Sequence, residues 1–321
     1  MIIVTGSNGF IGSNLIRCLN QKGYRDIIAV DDHSNPSLKE NTVHCDIQDF
    51  IQIEDFLTLV QKNKIKEENL LAIFHQGACS DTMEWDVEYL YKNNLLYSKE
   101  LLNLAIRSKS PLIYASSASV YGSGKTFNES LKNESPINLY AYSKFKFDQL
   151  VRRELKKNHT QIVGLRYFNV YGPHEQHKGK MASVAYHLHN QLKEGGEIKL
   201  FEGSDGYDDG EQSRDFVYVD DVVKVNIWFL ENNHVSGIFN VGTGRSQTFN
   251  EVAKSVIDWN KKGEIKYISF PENLKGAYQS FTEADINKLR QVGYEEEFLS
   301  VEEGVKKYLD SIEQWPKNEP S

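Results

Sequence analysis

The chain opens Met1-Ile2-Ile3-Val4-Thr5-Gly6-Ser7-Asn8-Gly9-Phe10-Ile11-Gly12, and this stretch decides the fold. Ile2–Thr5 reads as a short buried strand and residues 14–22 as a helix. Between them three glycines are spaced G-x-x-G-x-x-G. Glycine turns the backbone sharply and lets a pyrophosphate approach the helix N-terminus, where unpaired N–H groups and the dipole favour an anion. The trio alone says little. Set between a strand and a helix, it has the context a dinucleotide site requires. A glycine turn that only packs helix on strand is the weaker reading.

Outward from this loop, apolar runs at Ile27–Asp31, 70–74, 112–116 and Ile162–Tyr167 have strand length, and residues 95–108 and 141–156 have helical spacing. Such alternation predicts an α/β fold, a doubly wound parallel (Rossmann) sheet covered on both faces. After Gly172-Pro173 the texture changes. A polar loop is expected at 174–180, helices at 181–193 and 222–230, a strand at Gly237–Val241, and a mobile Gly/Asp-rich loop at 203–211. The reading is a dinucleotide-binding domain over 1–170, to which segments near 212–245 return. A smaller mixed α/β substrate domain follows over 171–315, then a polar tail at 316–321.

Of 321 residues, 40% are hydrophobic and 26% charged, as in ordinary globular proteins. The net charge of −8 argues against a general nucleic-acid binder, which carries a basic face. Cys18, Cys45 and Cys79 are odd in number and form no C-x-x-C pair, so they read as thiols in a reducing cytoplasm. No apolar run approaches the ~20 residues that span a bilayer, and no basic segment precedes the first strand. A cytoplasmic protein with no membrane partner is expected.

Chemistry is concentrated downstream. Tyr140 and Lys144 stand at i and i+4, one turn apart on one helix face. A nearby ammonium favours phenolate, which can take a proton from an alcohol as hydride leaves the carbon. Ser117 closes the strand at 112–116, and parallel sheets bind ligands at the carboxyl ends of their strands. A turn-capping serine and an exposed Tyr–Lys pair are the bland alternatives. Asp31 and Asp32 end the second strand about 20 residues past the glycine loop, where an acid binds a ribose 2′-hydroxyl and favours NAD. Lys39 follows, in a stretch expected to be looped, and offers a cation for the 2′-phosphate of NADP. His174 and His177 stand near Lys178 and Lys180, but no carboxylate or cysteine completes a metal set. By spacing alone Lys178 and Lys180 are equivalent.

In its first half the chain resembles the extended short-chain dehydrogenase/reductase family, on G-x-x-G-x-x-G, S-A-x-V-Y-G at 117–122 and Y-x-x-x-K at 140–144. Further stretches resemble the heptose-epimerase branch. They are F-H-Q-G-A-C-S at 74–80, E-W-D at 84–86, R-Y-F-N-V-Y-G-P-H-E-Q-H-K-G-K-M-A-S-V-A at 166–185, L-F-E-G-S at 200–204, R-D-F-V-Y-V at 214–219 and N-V-G-T-G at 240–244. The resemblance implies an isomerase that inverts C6 of an ADP-heptose by transient oxidation with tightly held NADP, supplying heptose for lipopolysaccharide core. It implies a homo-oligomer, a pentamer by family. Tyr140 and Lys178 match its two acid/base groups, and Ser117 and Lys144 the supporting residues. Lys178 would have its pKa lowered by like charges around it.

Cofactor positions are matched by Gly6, Gly9, Phe10, Ile11, Gly12, Asp31, Asp32, Gln76, Gly77, Ala78, Cys79, Ser80, Asn93, Lys144, Val170 and Lys178. Substrate positions are matched by Asn169, Lys180, His187, Phe201, Glu202, Gly203, Ser204, Arg214 and Tyr278. Arg214 suits a pyrophosphate; its alternative is a surface ion pair with the acidic loop. His187 has a core-histidine alternative. There are departures. Lys180 stands where the family often has a small hydroxyl residue, and Leu38 and Ile53 stand at the equivalents of its 2′-phosphate lysines. Ala118 occupies the place where related dehydratases carry an acid, which argues against loss of water.

Overall fold

The computed structural model of the protein describes residues 1–32, 34, 36–271 and 279–314. The first half runs β1 (Ile2–Thr5), α1 (Phe10–Gln21), β2 (Ile27–Asp31), α2 (Pro36–Lys39), β3 (Asp49–Gln52), α3 (Ile53–Gln61) and β4 (Ala72–His75). It continues through α4 (Val87–Leu90), a π-helical turn Tyr91–Leu96, α5 (Tyr97–Ser108), β5 (Leu112–Ser117), α6 (Leu139–Glu154) and β6 (Ile162–Tyr167). Then come β7 (Asn169–Tyr171), a 3-10 turn Gln176–Met181, α7 (Val184–Gly195), β8 (Glu197–Phe201), β9 (Ser213–Arg214), β10 (Phe216–Tyr218) and α8 (Val219–Glu231). The chain ends with β11 (Gly237–Val241), β12 (Gln247–Thr248), α9 (Phe249–Asn260), β13 (Glu264–Ile268), α10 (Asn287–Gln291) and α11 (Val301–Gln314).

Two compact units result. The first comprises Met1–Tyr167, Val222–Val241 and Asp285–Glu295; the second comprises Phe168–Asp221, Gly242–Ala284 and Glu296–Ser321. The first unit ends three residues earlier than residue 170. Of the segment 212–245 only Val222–Val241 belongs to it. The short helix α10 joins it as well, which no hydrophobic pattern announces. The Lys288 ammonium on α10 donates to the Ile238 carbonyl of the edge strand β11 at 2.8 Å, an interaction without periodicity. The tail at 316–321 lies outside the described residues.

The first unit is built on seven parallel strands in the order β3-β2-β1-β4-β5-β6-β11. The strands Ile2–Thr5, Ala72–His75 and Ile162–Tyr167 are buried at every position, because helices cover both faces of such a sheet. This is the expected Rossmann-type architecture. β1 has β2 on one side and β4 on the other, so the strand order reverses there and a crevice opens at the carboxyl ends.

The glycines serve close approach. A Cβ on Gly12 would lie 2.0 Å from the Gly6 carbonyl oxygen, and one on Gly6 (φ +66) would lie 2.5 Å from the Gly77 nitrogen. The loops after β1 and β4 therefore touch backbone to backbone.

The second unit carries three two-stranded pairings: β7 with β10 and β8 with β13, both parallel, and β9 with β12, antiparallel. Asp215 organises it. Its buried carboxylate accepts from Thr243 N at 2.7 Å, Thr243 Oγ1 at 2.9 Å, Gly244 N at 2.9 Å and Ala284 N at 2.9 Å. The R-D-F and N-V-G-T-G stretches meet at this carboxylate. Gly242 leaves it room, since a Cβ there would fall 2.8 Å from Oδ2. Residues 203–211, expected as a mobile loop, are cross-linked. Gly203 N donates to Asp209 Oδ1 at 2.8 Å, and Gly210 N donates to the Phe201 carbonyl at 3.1 Å. Among the described residues no helix is long and apolar enough to cross a membrane.

Gly12→Ala forces a methyl group into a backbone oxygen that cannot yield. The expected outcome is a loss of about 1–3 kcal/mol in stability, read as a lower urea midpoint at unchanged m-value. An unchanged midpoint would show that α1 can slide away from β1.

Candidate active site

In the first unit the loop after β1 leads into α1, whose N-cap is Gly9 with extended backbone and no side-chain cap bond. No acid stands in the first turn of α1, so the end of the dipole is uncompensated and suits an anion. Gly6, Gly12 and Gly77 bring the loops after β1 and β4 together backbone to backbone, and the uncapped N–H groups of α1 beside them fit a dinucleotide pyrophosphate. Asp31 fastens this loop: its Oδ2 accepts from Asn8 N at 2.7 Å, and its Oδ1 from Asp32 N at 2.8 Å. Asp32 accepts from Ser34 N at 2.8 Å and Gln52 Nε2 at 3.1 Å. Lys39 is exposed and ends the helical turn α2, so its stretch is helical where a loop was expected.

The loop after β4 carries Gln76, Gly77, Ala78, Cys79 and Ser80. Gln76 is locked by its amide: Nε2 donates to Asn226 Oδ1 at 3.1 Å, and Oε1 accepts from Tyr167 OH at 3.0 Å. Cys79 is held through its backbone by Asn94, whose Oδ1 accepts Cys79 N at 2.8 Å and whose Nδ2 donates to the Cys79 carbonyl at 3.0 Å. Asn94 also donates to Ser143 Oγ on α6 at 3.0 Å. Its neighbour Asn93 is half-buried and donates to the Tyr89 carbonyl. Sequence reasoning singled out Asn93 and missed Asn94. The π-helical turn, which re-aims both side chains, has no sequence period to reveal it.

Ser117, Tyr140 and Lys144 come together in this unit. Asn138 caps α6 by accepting Ala141 N at 2.8 Å, which starts the helix so that Tyr140 and Lys144 share a face. The Ser117 hydroxyl ends β5, accepting from Ser119 N at 3.1 Å and Ser119 Oγ at 2.8 Å. The Lys144 ammonium donates to the Ala115 carbonyl at 2.9 Å and lies 6.0 Å from the Tyr140 ring centre. Burial raises the Tyr140 pKa above its ordinary value, with the Ser117 hydroxyl pulling the other way. This corrects the expectation of a phenol made acidic by Lys144 alone: the ammonium is turned to a carbonyl and is itself brought down to about 8 by burial.

Beneath lies His75, fully buried. Thr5 Oγ1 stands 2.7 Å from its Nδ1 and Ser98 Oγ 2.7 Å from its Nε2. Ser98 donates onward to the Asn94 carbonyl at 2.7 Å, which assigns the ring proton to Nε2. Burial brings the His75 pKa down to about 3, with the Lys144 charge acting in the same direction.

The second unit holds the other group of candidates. Lys178 lies in the 3-10 turn Gln176–Met181, kinked at Gly179 (φ +51). Glu175 fixes this turn: it is fully buried, and its carboxylate accepts from Ser183 N and Ser183 Oγ, both at 2.6 Å. The Lys178 ammonium is 4.0 Å from Glu175 Oε2. Burial lowers the Lys178 pKa and Glu175 opposes it. The shift has the expected sign, but its cause is desolvation rather than neighbouring cations. His174 is fully buried, and Lys180 is exposed.

Asn169 and Val170 lie on β7, and Asn169 Oδ1 accepts from Thr282 Oγ1 at 3.4 Å. His187 and Phe201 line a cavity of about 130 Å³ with Gln191, Gln212 and Phe249. His187 is therefore no core histidine; His189, fully buried on the same helix, fills that role. Glu202 and Gly203 are exposed, and Ser204 Oγ accepts from Gln212 Nε2 at 3.0 Å. Arg214 is buried, its Cζ 5.8 Å from the Phe249 ring centre and its Nη1 donating to the Ser213 carbonyl. Its side chain is therefore not on the surface. Tyr278 lies outside the described residues.

Residues 2–242 match the NAD dependent epimerase/dehydratase family. The chain belongs to that family. A nicotinamide cofactor goes with that membership, and the uncapped N-terminus of α1 fits its pyrophosphate. The chain is similar to an ADP-L-glycero-D-manno-heptose-6-epimerase of Alkalilimnicola ehrlichii, 51% identical with 100% of both chains covered. It is 50% identical to one of Thiobacillus denitrificans, over 97% of this chain and 98% of that one. Its fold is similar to the crystal structure of the Helicobacter pylori enzyme of that name. The TM-score is 0.82 and the identity 35%, with 97% of this chain and 96% of that one covered.

His75 gives this family member an acid weakness. In the unfolded chain the ring takes a proton below about 6.5, whereas in the folded state it resists until about 3. Its contribution is complete above pH 6.5 and is lost as pH falls, by about 1.4 kcal/mol per pH unit within that window. Compared with wild type by urea unfolding between pH 6.5 and 4, His75→Asn should show a shallower slope. Parallel slopes would refute the assignment.

Proposed function

We propose that this protein is an ADP-L-glycero-D-manno-heptose-6-epimerase that inverts C6 of ADP-D-glycero-D-manno-heptose with a retained NADP, in the supply of heptose for lipopolysaccharide core. The observation that carries the reading is identity of about one half along the whole chain with relatives of that name, joined to the Ser117–Tyr140–Lys144 cluster at a strand end. A homo-oligomer in the cytoplasm goes with the family resemblance.

A nicotinamide cofactor held at the glycine loop after β1 would supply the hydride acceptor and donor for oxidation and re-reduction at C6. The residues of the chain do the proton work. Tyr140 exchanges the proton of the C6 hydroxyl, and Ser117 orients that oxygen. Lys144 holds positive charge near the phenol while anchored to Ala115. Inversion presents the hydroxyl in two orientations, so a second acid/base group is needed, and Lys178 is assigned that part. Burial lowers its pKa, the direction that lets a lysine give up its proton more readily. His187 and Phe201 are assigned to the nucleotide base, in the aromatic-walled cavity they line, and Arg214 to the pyrophosphate. Gly6, Gly9 and Gly12 hold the cofactor's pyrophosphate. Lys39 is assigned its 2′-phosphate, as the exposed cation that follows Asp31 and Asp32 along the chain.

Two tests follow. Tyr140→Phe and Lys178→Met keep most of the side-chain bulk, so each should remain folded with nucleotide bound and lose at least about 10³-fold in kcat, followed as C6 configuration by NMR. Full activity in Lys178→Met would remove Lys178 from the reaction. Because each turnover regenerates the oxidant, the protein should purify with its cofactor and need none added. Mass spectrometry of the extracted nucleotide should find NADP, and Lys39→Ala should weaken NADP about tenfold or more while sparing NAD. Recovery of NAD alone would overturn the NADP assignment.

A further inference from the structure

The spacing that joins Tyr140 to Lys144 continues. Asp148 and Arg152 follow at the same interval, so that tyrosine, lysine, aspartate and arginine form a ladder along one face of α6. Asp148 is fully buried. Its Oδ1 accepts from the Tyr114 hydroxyl at 2.8 Å. Its Oδ2 accepts from Ser116 Oγ at 3.0 Å and from Arg166 Nε and Nη2 at 3.0 and 2.7 Å. Tyr114 and Ser116 stand on either side of Ala115, whose carbonyl receives the Lys144 ammonium, and Ser117 is the next residue along.

Other residues make room for this arrangement. Gly164 lies opposite Tyr114 on β6, and a Cβ there would come within 2.4 Å of the Tyr114 hydroxyl. Arg166, also fully buried, donates to Glu134 at 2.6 Å, and Glu134 in turn pairs with Arg152. Two carboxylates and two guanidinium groups thus compensate one another below the catalytic turn.

Resting on the reading of Tyr140, Lys144 and Ser117 as the reacting cluster, we propose that Asp148 is a positioning residue for the epimerisation. It clamps Tyr114 and Ser116, and so sets where Ala115 presents its carbonyl to Lys144 and where Ser117 presents its hydroxyl. It also places a negative charge one helical turn from the Lys144 ammonium. The groups facing Lys144 are few. His75 on β4 is neutral near pH 7, and burial raises the Cys79 pKa in the loop after β4. Tyr140 and Asp148 share α6 with Lys144, and Arg166 on β6 is engaged by Asp148. Burial works against the Lys144 charge, and Asp148 is the first of the groups opposing it. Without Asp148, Lys144 sheds its proton at lower pH.

The test uses the purified holoenzyme and ADP-D-glycero-D-manno-heptose, reading kcat, KM and the pH profile. Asp148→Asn should lower kcat at least about tenfold with KM within about twofold, and should move the alkaline limb to lower pH by about one unit. Asp148→Glu should restore the limb but not the full rate. The double variant Tyr114→Phe, Ser116→Ala keeps the charge and frees the strand. It should lower kcat several-fold and leave the limb in place. A folded Asp148→Asn with wild-type kcat and limb would overturn the proposal. If Asp148→Asn does not fold, wild-type kcat in the double variant would overturn it equally. Tyr140→Phe and Lys144→Met separate the two levels. Activity in both would bring down the reading of the cluster, whereas inactivity in both beside wild-type behaviour of the Asp148 set would bring down the positioning role alone.

Discussion

Two backbones meet at the carboxyl ends of β1 and β4 with no side chain between them. Gly6 and Gly77 approach so closely that a Cβ on either would collide with the main chain of the other, and Gly12 lies against the Gly6 carbonyl in the same way. This contact lets α1 aim its N-terminus into the crevice at the reversal of strand order. It also brings the loop bearing Gln76 to Ser80 beside the glycine loop. The placing of these two loops depends on that approach, because a side chain at Gly6 or Gly77 would push them apart.

Around this contact the protein uses buried polar groups as fasteners. A loop at a strand end has no ladder partner for its N–H groups, and leaving one buried and unpaired costs about 1–3 kcal/mol. Asp31, Asp215 and Glu175 answer this with carboxylates that collect backbone donors. In the first unit the Asp148–Arg166 pair joins α6 to β5 and β6. Removing one partner of such a buried pair costs about 3–5 kcal/mol, whereas the intact pair adds little net stability over an apolar substitute. The arrangement therefore makes more sense as a way to fix geometry than as a source of stability. Side chains that hold position in this way stand directly below Ser117, Tyr140 and Lys144.

Burial also sets the proton affinities of the site. It raises the Tyr140 pKa, lowers those of Lys144 and Lys178, and keeps His75 neutral. Each of these lysines has one carboxylate near it, Asp148 for Lys144 and Glu175 for Lys178, that pulls against desolvation. In both, desolvation and a carboxylate oppose one another, in unrelated segments of chain.

The sequence by itself determined what depends on neighbours along the chain. Continuous apolar runs marked β1, β2 and β6 to the residue, because a strand buried on both faces tolerates little else. Glycine spacing marked the phosphate loop, and the i, i+4 interval paired Tyr140 with Lys144. Only the tertiary structure decided what joins distant segments. Asn94 reaches Cys79, Thr5 reaches His75 across 70 residues, and Asp148 gathers Tyr114, Ser116 and Arg166. The sign of the Lys178 shift was legible, but its cause was not. Like charges can be counted along a chain, whereas desolvation depends on everything that folds around a group. A hydrogen bond between residues far apart leaves no spacing to read, and its geometry exists only once both backbones are in place.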